Sequence, residues 1–117
     1  MYRDKTVAVV VPCYNEETQI ARVVETMPSL VDRIIVVDDC SRDGTAPEVE
    51  RLQAKHDHVV LIRHEVNQGV GGAIASGYIH ARDHDFDVAV VMAGDGQMDP
   101  GDLPALLDPV VSGRADY

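Results

Sequence analysis

Four apolar, β-branched runs punctuate the chain, at Val7–Val11, Arg33–Val37, Val59–Arg63 and Val88–Met92, and each is followed by a polar loop. Within the runs apolar and polar residues do not alternate. That pattern belongs to parallel strands covered on both faces, not to strands with one wet side. Helical spacing fills the gaps. Ile20, Val23, Val24 and Met27 recur at i, i+3, i+4 and i+7 after the polar start Asn15-Glu16-Glu17, and Pro28 ends the stripe. Thr45 and Glu48 have the spacing of a capping box ahead of Val49 and Leu52. Gly71 to Asp83 predicts a helix whose Gly72, Ala73, Ala75 and Gly77 would let it lie close to a sheet. Leu103, Leu106, Leu107 and Val110 form a last stripe, beginning near Asp99 or Asp102 with Pro109 as terminator. The order βαβαβα predicts an α/β fold, a parallel sheet with helices on both faces.

No repeat, low-complexity tract or linker interrupts this order, so residues 1–117 are expected to form one domain. The closing "GRADY" resembles the approach to a fifth strand, which suggests a fragment of a longer protein. A sheet edge left open there would favour pairing with a second copy.

Composition narrows the function. Hydrophobic residues make up 45% and charged residues 26%, a globular balance. Twenty Asp and Glu against ten Lys and Arg give a formal charge of −10, which argues against nucleic acid as a partner. An anionic small molecule would need a metal ion or backbone N–H groups to offset that acidity. The apolar runs are too short to span a bilayer, and Met1–Lys5 does not open a signal peptide. The expected location is cytoplasmic, or the cytosolic face of a membrane within a longer protein. Cys13 and Cys40 have no metal-ligand spacing, and each is expected to be reduced near a strand end.

In a parallel sheet all strands end on one edge, where ligands bind. The loops expected there are "PCYNEE" (12–17), "DDCSRDG" (38–44), "HEVNQGVGG" (64–72) and "AGDGQMDP" (93–100). They carry glycines for close backbone approach and carboxylates for a hard cation or a sugar hydroxyl. Together they describe a site for an anionic, hydroxylated ligand with a divalent metal. Asp43-Gly44-Thr45 fits a solvated turn and helix cap. Asp38 and Asp39, adjacent carboxylates straight after a buried strand, fit ligand contact better. Asp95 and Gln97, two apart, can offer hard oxygens to Mg²⁺ or Mn²⁺, although a simple turn with Asp99 as helix cap accounts for the same residues. Gly69, Gly71 and Gly72 do not make a dinucleotide fingerprint, and close packing alone would explain them.

Other candidates are weaker. His80 and His84 stand four apart, but "HARDH" lacks the glutamate of a zinc-protease helix and reads as a solvated face. His56, His58 and His64 flank a strand and are expected at the surface. Ser41 lies in no nucleophile elbow.

Taken in order, "VVVPCYNEE", "IIVVDDCSRDGT", "NQGVGGAIASGY" and "GDGQMDP" resemble the N-terminal, nucleotide-binding half of family 2 glycosyltransferases with the GT-A fold. Among these the closest likeness is to polyprenyl-phosphate (dolichol-phosphate-like) mannosyl- and glucosyltransferases. The resemblance implies an inverting transfer from a UDP- or GDP-linked nucleotide diphospho-sugar to a lipid phosphate or a glycan. By that resemblance Pro12, Tyr14, Asn15 and Glu16 line the nucleotide pocket, Asp38 hydrogen-bonds the base with Asp39 nearby, and Asn67 and Gly69 help to wall it. Asp95 matches the metal ligand and catalytic carboxylate, with Gln97 beside it, for Mg²⁺ or Mn²⁺. The sequence departs from the family at Ala93, where the first Asp of Asp-x-Asp usually stands, and it lacks the acceptor-binding half. A nucleotide- and metal-binding fragment without transfer activity is therefore the alternative. A receiver-like signalling domain would place its Asp pair after the first strand, whereas here the pair follows the second. A haloacid-dehalogenase-like phosphatase would need an Asp where "SRDGT" has Ser41.

Overall fold

A computed structural model describes residue 2 and residues 4–92. Its elements are β1 (Val7–Cys13), α1 (Ile20–Glu25), β2 (Arg33–Asp38), α2 (Thr45–Lys55), β3 (Val59–Arg63), α3 (Gly69–Asp83) and β4 (Val88–Val91). The four strands form one parallel sheet in the order β3-β2-β1-β4. Strands run β1, β2, β3 outward in one direction before the chain crosses back to place β4 on the other side of β1. That reversal makes the β1/β4 boundary a topological switch point, where open α/β sheets bind ligands.

Burial explains why the strands lack alternation. Val7, Val9 and Val11 face α1 and α2, together with Ile34, Val36, Val49 and Leu52. Ala8 and Val10 face the opposite side with Ile35, Val37, Ala73 and Ala81 of α3. Successive side chains of β1 and β2 thus enter two separate cores, which requires apolar residues on both faces, whereas β3 and β4 are only partly buried. Helix α3 comes closest to the sheet: a Cβ on Gly77 would stand 2.2 Å from Cγ1 of Val10. The small-residue stretch is therefore a packing requirement at that point.

The strands match their expected positions, with β1 continuing through Pro12 and Cys13, which pair with Val37 and Asp38. Pro12 lacks the N–H that would follow Met92 N–H on the Val10 carbonyl in the ladder on the β4 side, and it stands next to the last residue of β1, where such a loss is tolerated. Helix α1 starts later than its polar prelude suggested, since Glu16–Gln19 first makes a turn that ends with Ile20 N–H on the Glu16 carbonyl at 2.9 Å. The capping box does not form. Thr45 is already the first helical residue, and Glu48 pairs instead with Arg51. The amino edge of the sheet is closed by aspartates: Asp32 accepts Val7 N–H at 2.7 Å and Asp87 accepts Thr6 N–H at 2.8 Å. The expected fourth helix and fifth strand lie outside the described residues. Among the described residues no helix is long and apolar enough to cross a membrane.

Candidate nucleotide site

The loops after β1 and β2 are knitted together by their own polar groups. Asn15, in the left-handed region at φ 55°, donates its N–H to Ser41 Oγ at 2.9 Å and accepts Arg42 N–H on Oδ1 at 2.9 Å. Glu16 N–H meets Thr45 Oγ1 at 2.8 Å, and Gly44 N–H meets Glu17 Oε2 at 3.2 Å. Asp43 accepts from Thr45 N–H at 2.9 Å and from Glu17 N–H at 3.3 Å. Burial opposes its ionisation, yet the Thr45 hydroxyl and the surrounding N–H groups hold its carboxyl below the usual range. Asp43 is thus a turn residue that also staples the two loops.

Asp39 holds the third loop. Its Oδ1 accepts Gln68 N–H at 2.8 Å and lies 2.9 Å from His64 Nδ1, while its carbonyl accepts Asn67 Nδ2 at 3.4 Å. Asn67 Oδ1 then takes Gly69 N–H at 3.0 Å, and Gly69 adopts φ 80°, a conformation that L side chains rarely enter. Burial disfavours the charged Asp39, but donors from Gln68, His64 and Gly69 outweigh it and lower its pKa.

Asp38 differs from both. It is fully buried, and Oδ1 accepts Ser41 N–H at 3.0 Å. Among the described residues Oδ2 finds no hydrogen-bond donor. Arg63 Nε stands 3.5 Å away from it, on a side chain that is 55% exposed. A buried carboxylate oxygen short of a donor is costly to keep, so this atom is available to accept one. Tyr14, the first residue after β1, is 46% exposed.

The structure brings Pro12, Tyr14, Asn15, Glu16, Asp38, Asp39, Asn67 and Gly69 to the carboxyl edge of the sheet, on loops joined by the bonds above. Asp95 and Gln97 lie outside the described residues. Among the described residues no group of three or more His, Cys, Asp or Glu side chains is placed to hold a metal. A cleft of about 440 Å³ beside Asp38 is lined by Cys40, Arg63, His64 and Glu65. Another, of about 560 Å³, lies between α3 and the start of β4, away from these loops, and is lined by Tyr78, Arg82, Phe86 and their neighbours. Neither Cys13 nor Cys40 is in a disulfide. His64 is the correction: it is 8% exposed and holds Asp39 and Ser76, because partners distant in sequence bury it.

The family description Glycosyl transferase family 2 matches residues 8–117, nearly the whole chain. The chain belongs to that family. A UDP-N-acetylglucosamine–dolichyl-phosphate N-acetylglucosaminyltransferase of Methanococcus voltae is 33% identical over 97% of the chain and 51% of its own length. An undecaprenyl-phosphate mannosyltransferase of Micrococcus luteus is 31% identical over 89% of the chain and 44% of its own length. This family 2 chain spans about half the length of such relatives. Among solved structures, a mannosyltransferase of Pyrobaculum calidifontis in complex with GDP-Man and Mn²⁺ superposes with a TM-score of 0.71 at 25% identity. The match covers 80% of this chain and 28% of that one. The fold is that of GT-A glycosyltransferases.

Proposed function

We propose that this family 2 chain is the nucleotide-binding half of an inverting glycosyltransferase that uses a UDP- or GDP-linked sugar. The observation that carries the reading is Asp38 Oδ2, a buried carboxylate oxygen at the carboxyl edge of the sheet that has no hydrogen bond among the described residues. The N–H of a uracil or guanine ring is the donor it lacks. Asp38 binds the base, and the exposed Tyr14 ring and Pro12 form the pocket wall. Asn15 and Glu16 shape the first loop through their backbone bonds. Asp39, Asn67 and Gly69 hold the third loop against the nucleotide.

Asp95, with Gln97, would hold the divalent cation; their hard oxygen donors fit Mg²⁺ or Mn²⁺. Held by these residues, a cation would offset charge on the departing diphosphate. Ala93 removes one carboxylate from the same loop, so the chain's own contribution to metal affinity rests on Asp95. The acceptor in this reading is a polyprenyl phosphate or a glycan, supported by the names of the relatives. A phosphate acceptor is already ionised and needs no general base. The setting is the cytosolic face of a membrane.

A second reading, a nucleotide-binding unit inactive in transfer by itself, is favoured by the half-length match to the relatives. Calorimetric titration with UDP and with GDP, each with and without Mn²⁺, tests the binding shared by both readings. Metal-dependent binding of one nucleotide, lost in Asp95→Ala, is expected. A folded chain that binds neither contradicts them. Sugar release from UDP- or GDP-linked donors then separates the two.

A further inference from the structure

His64 follows the last residue of β3, and its N–H meets the Asp38 carbonyl at 2.9 Å. Its ring lies between two partners: Nδ1 is 2.9 Å from Asp39 Oδ1, and Nε2 is 2.8 Å from Ser76 Oγ. A carboxylate can only accept, so Nδ1 carries hydrogen and Nε2 faces the serine hydroxyl. The end of β2, the end of β3 and the body of α3 therefore meet on one imidazole.

Asp, His and Ser joined in this order make a nucleophile in hydrolases, where free N–H groups receive the oxyanion. Ser76 instead sits inside α3 (Gly69–Asp83), where backbone N–H groups are spent on helical bonds. No acyl chemistry follows. The arrangement is a brace, and its load is visible: the Asp39 oxygen that His64 holds is the one that accepts Gln68 N–H at 2.8 Å, at the start of the glycine-rich turn.

We propose that His64 is a positioning residue of the nucleotide site: by bridging Asp39 and Ser76 it fixes the carboxylate that pins Gln68, and so presents the Asn67–Gly69 turn to the donor nucleotide. The proposal rests on the reading of these loops as a nucleotide site. His64 touches no ligand and acts through Asp39. A residue that only filled space could be replaced by leucine with no effect on the turn. A brace could not, whereas asparagine, whose Nδ2 occupies the place of the imidazole Nδ1, would keep the donor to Asp39 and lose only Ser76.

The test uses the full chain as wild type, His64→Leu, His64→Asn and Ser76→Ala. UDP and GDP are titrated with Mn²⁺, the thermal midpoint is recorded, and Gln68 amide exchange is followed by NMR without nucleotide. His64→Leu is expected to weaken nucleotide binding tenfold or more and to speed Gln68 exchange at least tenfold. His64→Asn is expected to stay within about threefold of wild type in binding, although it fills less of the core than leucine. Ser76→Ala, which keeps the helix and most of the side-chain volume, is expected to weaken binding about threefold, and it decides the question if His64→Leu does not fold. Binding by a folded His64→Leu or Ser76→Ala within experimental error of a binding wild type overturns the positioning role alone. Unchanged Gln68 exchange in His64→Leu overturns it as well. A wild type that binds neither nucleotide overturns both this inference and the functional reading beneath it.

Discussion

Arg63 Nε stands 3.5 Å from Asp38 Oδ2 and does not hydrogen-bond it, so the two form a loose ion pair across the mouth of the site. The carboxylate is fully buried, while the guanidinium stem is more than half exposed. Desolvation therefore falls on Asp38, and the partner that should offset it is largely in water. Such an arrangement exchanges stability for an available acceptor. Asp38→Asn is expected to raise the thermal midpoint by a few degrees, about 1 kcal/mol, because a buried charge that its exposed partner compensates poorly disappears while the Ser41 contact is kept. The same variant should weaken UDP or GDP binding about tenfold or more, since an amide in place of the free oxygen opposes the ring N–H. Differential scanning fluorimetry and calorimetric titration on one preparation check both halves.

Asp39 makes a pH prediction. Its folded pKa lies below the ordinary value of 3.8 because donors from Gln68, His64 and Gly69 overcome the opposing effect of burial. A depressed carboxylate pKa adds stability that is fully present above the unfolded pKa and is lost as pH falls through the folded one. The stability gap between wild type and Asp39→Asn should accordingly stay level from pH 7 to about 5 and close as pH falls below about 4. Urea unfolding at a series of pH values measures that gap. A gap that widened on acidification would contradict the hydrogen-bond account.

Gly77 separates packing from helix propensity. Alanine is the better helix former by about 1 kcal/mol, but its Cβ would meet Val10 Cγ1 at 2.2 Å and Cγ2 at 2.9 Å. Overpacking should win, and Gly77→Ala is expected to lower stability by about 1–3 kcal/mol in urea denaturation. Adding Val10→Ala removes the clashing methyls, so the double variant should be more stable than the two single effects summed.

Sequence legibility followed the range over which each feature is determined. Both-face burial is imposed residue by residue, and the four strands could be read directly from continuous runs such as Val7–Val11. Helix α3 was legible for the same reason, through its small residues. Features set by partners far along the chain were not. Thr45 carries a local capping pattern, but its hydroxyl is engaged by Glu16 N–H and Asp43, so the box with Glu48 gives way. His64 lies between exposed Arg63 and Glu65, and nothing local betrays that Asp39 and Ser76 enclose it. Of the three aspartates in "DDCSRDG", the sequence assigned Asp43 to a turn and Asp38 and Asp39 together to ligand contact. The hydrogen-bond pattern adds that Asp43 also staples two loops, and it separates a brace (Asp39) from an open acceptor (Asp38).

In the proposed function the carboxyl-edge loops take a nucleotide through Asp38. Amide chemical shifts of the ¹⁵N-labelled chain, followed during titration with UDP and with GDP in the presence of Mg²⁺, test it most directly. Tyr14, Asp39, Ser41, Gln68 and Gly69 are expected to move together with one of the nucleotides, and Asp38→Asn is expected to abolish most of the movement. Shifts centred instead on the cleft between α3 and β4, at Tyr78, Arg82 and Phe86, or no shifts with either nucleotide, would contradict it.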